Sequence, residues 1–240
     1  MANLLVDIGN TSVKIALSTG DEIKDMCRCA VEELLKKIEE IFKLYGMFHV
    51  VAISDVRGME DEFYIEVSRY GEKVVRVGEG VKLPIRNCYS TPHTLGADRL
   101  CAAVGASVLY PGKDCVIVDF GTAITYDFIT ADGRFLGGNI SLGLQTRFKA
   151  INHFTKKLPL LETPDNVSDI GDCTKGAIES GIVLGTIFEV EGYIKKYPHH
   201  TFVFTGGDAI FFAEKVKSAI FVVCNLVMVG LSHIAKTNAV

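Results

Sequence analysis

Two short segments at the start of the chain carry the apolar pattern of strands. LLVDI is an apolar run that ends at Gly9-Asn10, and SVKIALS follows it with side chains that alternate in polarity. Two such runs around a glycine-asparagine turn predict a β-hairpin. From Val31 to Gly46 the apolar residues recur at helical spacing, with Glu and Lys on the other face and glycine at the end. This second pattern predicts an amphipathic helix.

Strands and helices are predicted to alternate along the rest of the chain. The first half continues with strands at 48–53 and 73–77, a helix at 59–70 between them, and a helix from Leu95 to Tyr110 that stops at Pro111-Gly112. The second half is predicted to contain two strands within 115–130, strands at Arg134–Ile140, Thr201–Thr205 and Ile220–Val223, and helices at Thr174–Tyr197, Asp208–Lys217 and Asn225–Lys236. This order is typical of an α/β protein.

The opening pattern occurs again after Gly112. CVIVDFGTAITYDFIT is an apolar strand, an Asp-Phe-Gly-Thr turn and an alternating strand, as LLVDIGNTSVKIALS is at the start. Only the D-x-G core and the strand-turn-strand frame match, so a chance resemblance is the alternative. We predict a duplicated α/β fold with one lobe over residues 1–112 and a second over 113–240.

Composition and charge exclude several classes of function. The net charge is -4 and the basic residues are scattered, so no cluster is available to neutralise nucleic-acid phosphates. The start MANLLVDIGN lacks the features of a signal peptide, and no apolar run approaches the ~20 residues that span a bilayer. The seven cysteines form no C-x-x-C pair, which favours reduced structural thiols. We expect a cytoplasmic protein that binds neither nucleic acid nor membrane.

Two glycine-containing turns offer the chemistry of a phosphate site. In DIGNTSVK, Asp7 ends a strand, Gly9 lets the backbone approach a ligand, and Asn10, Thr11 and Ser12 add side-chain donors to those of the turn itself. Asp7 is suited to hydrated Mg²⁺ and Lys14 to nucleotide charge. An ordinary hairpin turn is the alternative. The second turn, from Asp119 to Thr122, favours a nucleotide held from two sides.

A carboxylate and a guanidinium come together at Leu95-Gly96-Ala97-Asp98-Arg99, where a helix is predicted to start. A kinase needs such a pair, because the carboxylate can take the proton of the acceptor hydroxyl and the guanidinium can orient the substrate or stabilise charge. Alternatively, Asp98 only caps the helix dipole and Arg99 is solvated. The turn Gly206-Gly207-Asp208-Ala209 is either a strand-to-helix turn with an Asp cap or a loop against which adenine lies.

These motifs, taken together, resemble type III pantothenate kinases. The resemblance rests on D-I-G-N-T-S-V-K at 7–14, Tyr89 with P-H-T-L-G-A-D-R ending at Arg99, D-F-G-T-A-I-T-Y-D at 119–127, G-G-N-I-S at 137–141 and T-K-G-A-I-E-S-G at 174–181. They occur in the order and spacing of that family over nearly the whole chain. The combination is far more specific than any single motif.

The resemblance implies an acetate and sugar kinase/Hsp70/actin fold of two ribonuclease-H-like lobes, and a homodimer that makes 4'-phosphopantothenate from pantothenate and ATP with Mg²⁺, the first step of coenzyme A synthesis. It assigns the ATP site to Asp7, Ile8, Gly9, Asn10, Thr11, Ser12, Val13, Lys14 and Thr122. It assigns the proton acceptor to Asp98, and pantothenate contacts to Tyr89, Gly96, Ala97, Asp98, Arg99 and Thr174, with Thr174 completing the partner subunit's site. Asp119 is assigned to a monovalent cation, K⁺ or NH₄⁺.

One position departs from the family pattern, and two other functions remain open. The family reads G-G-x-I-x-P-G where this chain has Leu142 in place of proline, and loss of the fixed φ would loosen the loop beside the substrate. The first alternative is another kinase or an exopolyphosphatase of the same fold. The second is a non-enzymatic regulator, which the intact Asp7, Asp98 and Asp119 argue against.

Overall fold

The computed structural model describes residues 1–78 and 80–239, with the backbone alone at Asp25. The chain divides into two compact units. The first unit comprises Met1–Lys113, Phe128–Gly137 and Asn225–Val240, and the second comprises Asp114–Asp127 and Gly138–Cys224. The predicted lobes, 1–112 and 113–240, stay a prediction.

The strands form two mixed sheets, as expected for the predicted α/β class. In chain order the strands are β1 Asn3–Ile8, β2 Val13–Thr19, β3 Glu22–Cys29, β4 Phe48–Asp55, β5 Gly71–Arg76, β6 Arg86–Asn87, β7 Cys115–Phe120, β8 Ala123–Ile129, β9 Arg134–Leu142, β10 Thr201–Gly206 and β11 Phe221–Val222. The sheet orders are β3-β2-β1-β4-β5 and β11-β10-β7-β8-β9-β6. Apart from β6, the second sheet therefore repeats the strand order of the first.

Seven helices accompany these sheets in the described part of the chain. They are α1 Leu34–Tyr45, α2 Asp61–Val67, α3 Ala97–Leu109, α4 Leu144–Phe154, α5 Thr174–Lys196, α6 Ala209–Ala213 and α7 Leu226–Asn238, with 3₁₀ turns at Val31–Glu33 and Pro92–Thr94. None of these helices has the length and apolarity required to cross a bilayer.

Several element boundaries differ from the predicted ones. The helix predicted at 59–70 is α2, and β5 begins directly after its last turn; the helix predicted at Asp208–Lys217 is the five-residue α6. The pattern missed β3, β6 and α4. The strand β3 lies at the edge of its sheet and carries several charged residues, so it lacks the apolar run of a central strand. The strand β6 is only two residues long.

In each unit the repeat begins with two consecutive strands that lie side by side, β1–β2 in the first and β7–β8 in the second. In the first sheet β1 pairs antiparallel with β2 and parallel with β4, and β4 pairs parallel with β5. In the second, β7 pairs parallel with β10, and β10 with β11. The carboxyl ends of β1 and β4 therefore lie side by side, and so do those of β7 and β10. The D-x-G turns follow β1 and β7, at the strand ends where α/β proteins bind ligands.

The core of the first unit packs one face of β1 and β4 against α1 and α2. The side chains of Leu4, Val6, Val51 and Ile53 are fully buried in one cluster with α1 and α2. Helices α3 and α7 pack unusually closely. A Cβ added at Gly230 of α7 would lie only 1.7 Å from the carbonyl oxygen of Cys101 in α3. The position of α3, and with it the Asp98-Arg99 pair, therefore depends on packing against α7.

Candidate active site

Asp7 lies at the end of β1 in the first unit, between two polar neighbours. It is in register with Lys14 on β2 and with Ser54 on β4. Its side chain is only 6% exposed, and among the described residues its Oδ1 has no hydrogen-bond partner. A buried carboxylate oxygen without a partner is costly to maintain, so this position fits a ligand that supplies positive charge or donors.

The electrostatic setting of Asp7 links it to Asp98. The pKa of Asp7 is raised from 3.8 to about 6, chiefly by burial. The nearby carboxylate of Asp98 adds to the rise, and the charge of Lys14 opposes it. Burial also raises the pKa of the Cys101 thiol well above its usual value, and Asp7 and Asp98 both add to this effect. The structure therefore brings Asp7, Asp98 and an uncharged Cys101 into one buried cluster.

Asp98 and Arg99 occupy the first turn of α3, as the sequence predicts. Gly96 is the N-cap residue, and Oδ1 of Asp98 accepts a hydrogen bond of 2.8 Å from the backbone N-H of Arg99. Burial raises the pKa of Asp98, although the hydrogen bond and charge of Arg99 lower it. Arg99 is 7% exposed, so it is not the solvated side chain of the alternative interpretation. Asp98 is held at the helix start and is more basic than an ordinary aspartate.

Tyr89 lies beside Arg99, as expected if both contact one substrate. The guanidinium carbon of Arg99 is 5.7 Å from the centroid of the Tyr89 ring. The ring packs against Gly137, where φ is 103° and an added Cβ would lie 2.9 Å from Cδ2 of Tyr89. Only glycine fits both the backbone angle and the contact. Tyr89, Arg99 and the first glycine of G-G-N-I-S are thus brought together.

The turn after β1 presents mainly backbone. The N-H of Gly9 donates to the carbonyl of Ser12 at 3.1 Å, while the side chains of Ile8 and Val13 are fully buried in the core. These two residues can therefore meet a ligand only through their main chain. Sequence reasoning missed Arg57, which follows β4 and donates through Nε to the carbonyl of Gly9 at 3.0 Å.

The second D-x-G turn lies in the second unit. Asp119 on β7 is in register with Thr205 on β10, and an added Cβ on the next residue, Gly206, would lie 2.4 Å from Oδ1 of Asp119. Thr122 is exposed, and its carbonyl accepts hydrogen bonds from the N-H of Gly143 at 3.1 Å and from Oγ1 of Thr146 at 2.7 Å. The Thr122 turn is thus anchored to the start of α4.

The turn at 206–209 has less polar chemistry than expected. Asp208 is the N-cap residue of α6, but its side chain makes no capping hydrogen bond; its backbone N-H donates to the carbonyl of Phe120 at 3.2 Å. The proposed Asp cap is therefore wrong in its side-chain chemistry, although a strand-to-helix turn is present.

A second set of contacts that the sequence did not reveal holds the end of β9 at Leu142. Arg147 donates through Nε to the carbonyl of Leu142 at 2.8 Å, and through Nη2 to Ser141 at 3.0 Å and to the carboxylate of Glu189. Leu142 is the last residue of β9 and not part of a loop, and these contacts hold that strand end where proline is missing. No sequence signal pointed to Arg147, because α4 was not predicted and Glu189 is far away along the chain.

Thr174 begins α5 and is exposed. It lines a groove of about 620 Å³ between α4 and α5, whose other walls are largely apolar and include Ile151, Ile178 and Ile182. Among the described residues, no three His, Cys, Asp or Glu side chains form a metal-binding group.

Comparison with known proteins identifies the family. The model of type III pantothenate kinase matches residues 3–196. The chain belongs to the type III pantothenate kinase family. Its relatives include type III pantothenate kinases of Phocaeicola vulgatus, 38% identical over 98% of both chains, and of Cytophaga hutchinsonii, 36% identical over 98% of this chain and 99% of the relative.

Solved structures show the fold of this pantothenate kinase family member. A Baf family protein from Campylobacter jejuni covers 98% of each chain at 22% identity, with a TM-score of 0.68. MreB5 of Spiroplasma citri, bound to ADP, covers 99% of this chain and 97% of its own at 11% identity, with a TM-score of 0.57. The predicted actin-like fold class is thereby confirmed.

Proposed function

We propose that this chain is a pantothenate kinase, which transfers the γ-phosphoryl group of ATP to the hydroxyl of pantothenate and yields 4'-phosphopantothenate. Family membership supports the reaction. The observation that carries the assignment is the cluster of Asp7, Asp98, Arg99 and Tyr89 in the first unit, because it combines a positioned base, a buried cation and a carboxylate suited to a metal.

Asp98 is the proposed base. Burial raises its pKa, which strengthens its affinity for the proton of the attacking hydroxyl, and the N-H of Arg99 fixes its orientation at 2.8 Å. Arg99 and Tyr89 are proposed to orient pantothenate beside it, together with the backbone at Gly96 and Ala97. A base fixed in this way contributes by positioning as well as by basicity.

Asp7 is the proposed contact for Mg²⁺, which would neutralise phosphate charge when bound with ATP. The buried Oδ1 of Asp7 without a protein partner fits this role. Lys14, directly opposite on β2, is proposed to add positive charge. The backbone from Ile8 to Val13 and Thr122 are proposed to contact the nucleotide.

Four finer features are also proposals, supported by the family resemblance. They are a K⁺ or NH₄⁺ ion at Asp119, a homodimer, a role for Thr174 in the partner subunit's site, and a cytoplasmic location. The close backbone of Gly206 at the Asp119 carboxylate supports a compact site there.

The test is turnover measured as ADP release from ATP and Mg²⁺ with pantothenate, with common sugars in parallel, and with and without K⁺. We expect release that depends on pantothenate and increases with K⁺. Activity with a sugar alone would refute the pantothenate assignment. Unchanged turnover without K⁺ or NH₄⁺ would refute the cation proposal and leave the kinase assignment standing.

A further inference from the structure

Arg57 makes a two-pronged contact with the turn that follows β1. Its Nε donates to the carbonyl of Gly9 at 3.0 Å, and its Nη2 donates to the carbonyl of Asn10. The two acceptors are consecutive peptide groups of the turn. The planar fork of a guanidinium can hold both at once, which a lysine ammonium does less well.

The contact also fixes the opposite sides of these peptides. No described peptide bond is cis, and in a planar trans peptide the C=O and the following N-H point in opposite directions. Holding the carbonyls of Gly9 and Asn10 therefore sets the directions of the N-H groups of Asn10 and Thr11. It also keeps two partially negative carbonyl oxygens directed at a cation, where they cannot repel a phosphate.

The loop that carries Arg57 is itself firmly held. The carboxylate of Asp55 accepts hydrogen bonds from the backbone N-H of Arg57 at 2.9 Å, of Gly58 at 3.0 Å and of Met59 at 2.7 Å. It also accepts one from the Tyr64 hydroxyl at 2.7 Å. The loop joins the first hairpin through the N-H of the next residue, Val56, which donates to the carbonyl of Ile8 at 3.2 Å.

We propose that Arg57 is a positioning residue for nucleotide binding, which orients the N-H groups of Asn10 and Thr11 toward the phosphates of ATP. The proposal rests on the proposed function, because it assigns this turn to the triphosphate. Tyr64 acts one step further away, since it fixes Asp55 and thereby the loop that presents Arg57.

The experiment compares Arg57→Gln, Arg57→Lys and Tyr64→Phe with the unchanged protein. The dissociation constant of Mg-ATP is measured without a second substrate, and kcat and both KM values are measured with pantothenate. We expect Arg57→Gln to weaken ATP binding about tenfold, because two charge-assisted hydrogen bonds that orient the turn are lost. Arg57→Lys should weaken ATP binding by an intermediate factor. Its kcat and its KM for pantothenate should lie within about twofold of the values for the unchanged protein.

Arg69→Gln is the matched control, because Arg69 is an exposed arginine of the same unit that pairs at 2.8 Å with Glu66, away from the turn. It should leave ATP affinity unchanged. An ATP dissociation constant within twofold of the unchanged protein in Arg57→Gln overturns the proposal, as does an equal rise of both KM values. Should Arg57→Gln not fold, Tyr64→Phe decides: weaker ATP binding supports the proposal, and unchanged binding overturns it.

The two proposals fail in different ways. A protein that binds ATP but phosphorylates only a sugar refutes the pantothenate assignment and leaves the ATP affinities of the Arg57 variants interpretable. A protein that turns over pantothenate while Arg57→Gln binds ATP normally refutes only the role of Arg57.

Discussion

Replacing Asp7 with asparagine should stabilise the protein while it removes activity. Asp7 is 6% exposed, and the pKa of its carboxylate is raised from 3.8 to about 6. The folded state therefore binds this proton more tightly than the unfolded chain does. Stability falls as the pH rises from about 4 to about 6, and above that range the full cost of the buried charge is present.

The size of the cost follows from the pKa difference. The difference between 3.8 and about 6 corresponds to about 3 kcal/mol at pH 8, and the same linkage gives about half of that at pH 5. Asparagine has the same shape and no charge. Asp7→Asn should thus gain up to about 3 kcal/mol at pH 8 and less at pH 5.

The measurement is urea unfolding without nucleotide, followed by circular dichroism at pH 5 to 8 and at one protein concentration. Asp55→Asn is the control of opposite sign. Burial raises the pKa of Asp55, but hydrogen bonds from Tyr64 and three backbone N-H groups lower it below its usual value, so its contribution to stability is present at neutral pH and lost in acid. If Asp7→Asn were less stable than the unchanged protein at pH 8, the assignment of a costly buried charge would be wrong.

Three further perturbations test other parts of the structure. Asp98→Asn should lower kcat by about 10²–10⁴ with ATP affinity near that of the unchanged protein, and an unchanged kcat would remove Asp98 from the mechanism. Gly230→Ala should lower the free energy of unfolding by about 3 kcal/mol or more, measured by thermal unfolding, because its Cβ would lie 1.7 Å from the Cys101 carbonyl oxygen. Gly192→Ala is the control: its added Cβ would have nothing within 4 Å and should raise the free energy of unfolding by about 0.5–1 kcal/mol. Equal effects of the two substitutions would contradict the close packing of α3 and α7. Glu189→Gln should lower the free energy of unfolding by about 1–3 kcal/mol, since it weakens the hydrogen-bonded ion pair with Arg147. An unchanged midpoint of urea unfolding would show that the pair does not stabilise the protein.

The sequence predicted those parts of the fold and site that are encoded locally. The D-x-G turns follow apolar strands at both places, and the Asp98-Arg99 pair starts a helix as expected. The periodicity of α1 and the glycine that ends it were equally clear in the sequence. In the structure Gly46 has a φ of 75°, which favours glycine at the end of a helix. These features depend on a few consecutive residues and on the period of the apolar side chains.

What the sequence missed depends on contacts between distant residues. Arg57 reaches a turn 47 residues earlier, and Arg147 pairs with a carboxylate 42 residues later. Neither contact leaves a periodic or composition signal. The contacts from Arg147 at Leu142 were missed for the same reason, so the loosening expected from the missing proline was predicted without them. The raised pKa of Asp7 likewise arises from burial, which only the folded chain reveals.

The return of α7 to the first unit affects the order in which a nascent chain can mature. Residues 110–225 separate α3 from α7, the helix that packs against it, so α3 leaves the ribosome about a hundred residues before α7 exists. The unit that is synthesised first is consequently the last to be finished. A ribosome-bound chain that ends at Cys224 should be cleaved by protease within α3. Once α7 has also been synthesised and has left the ribosome, the segment that bears Asp98 should resist cleavage.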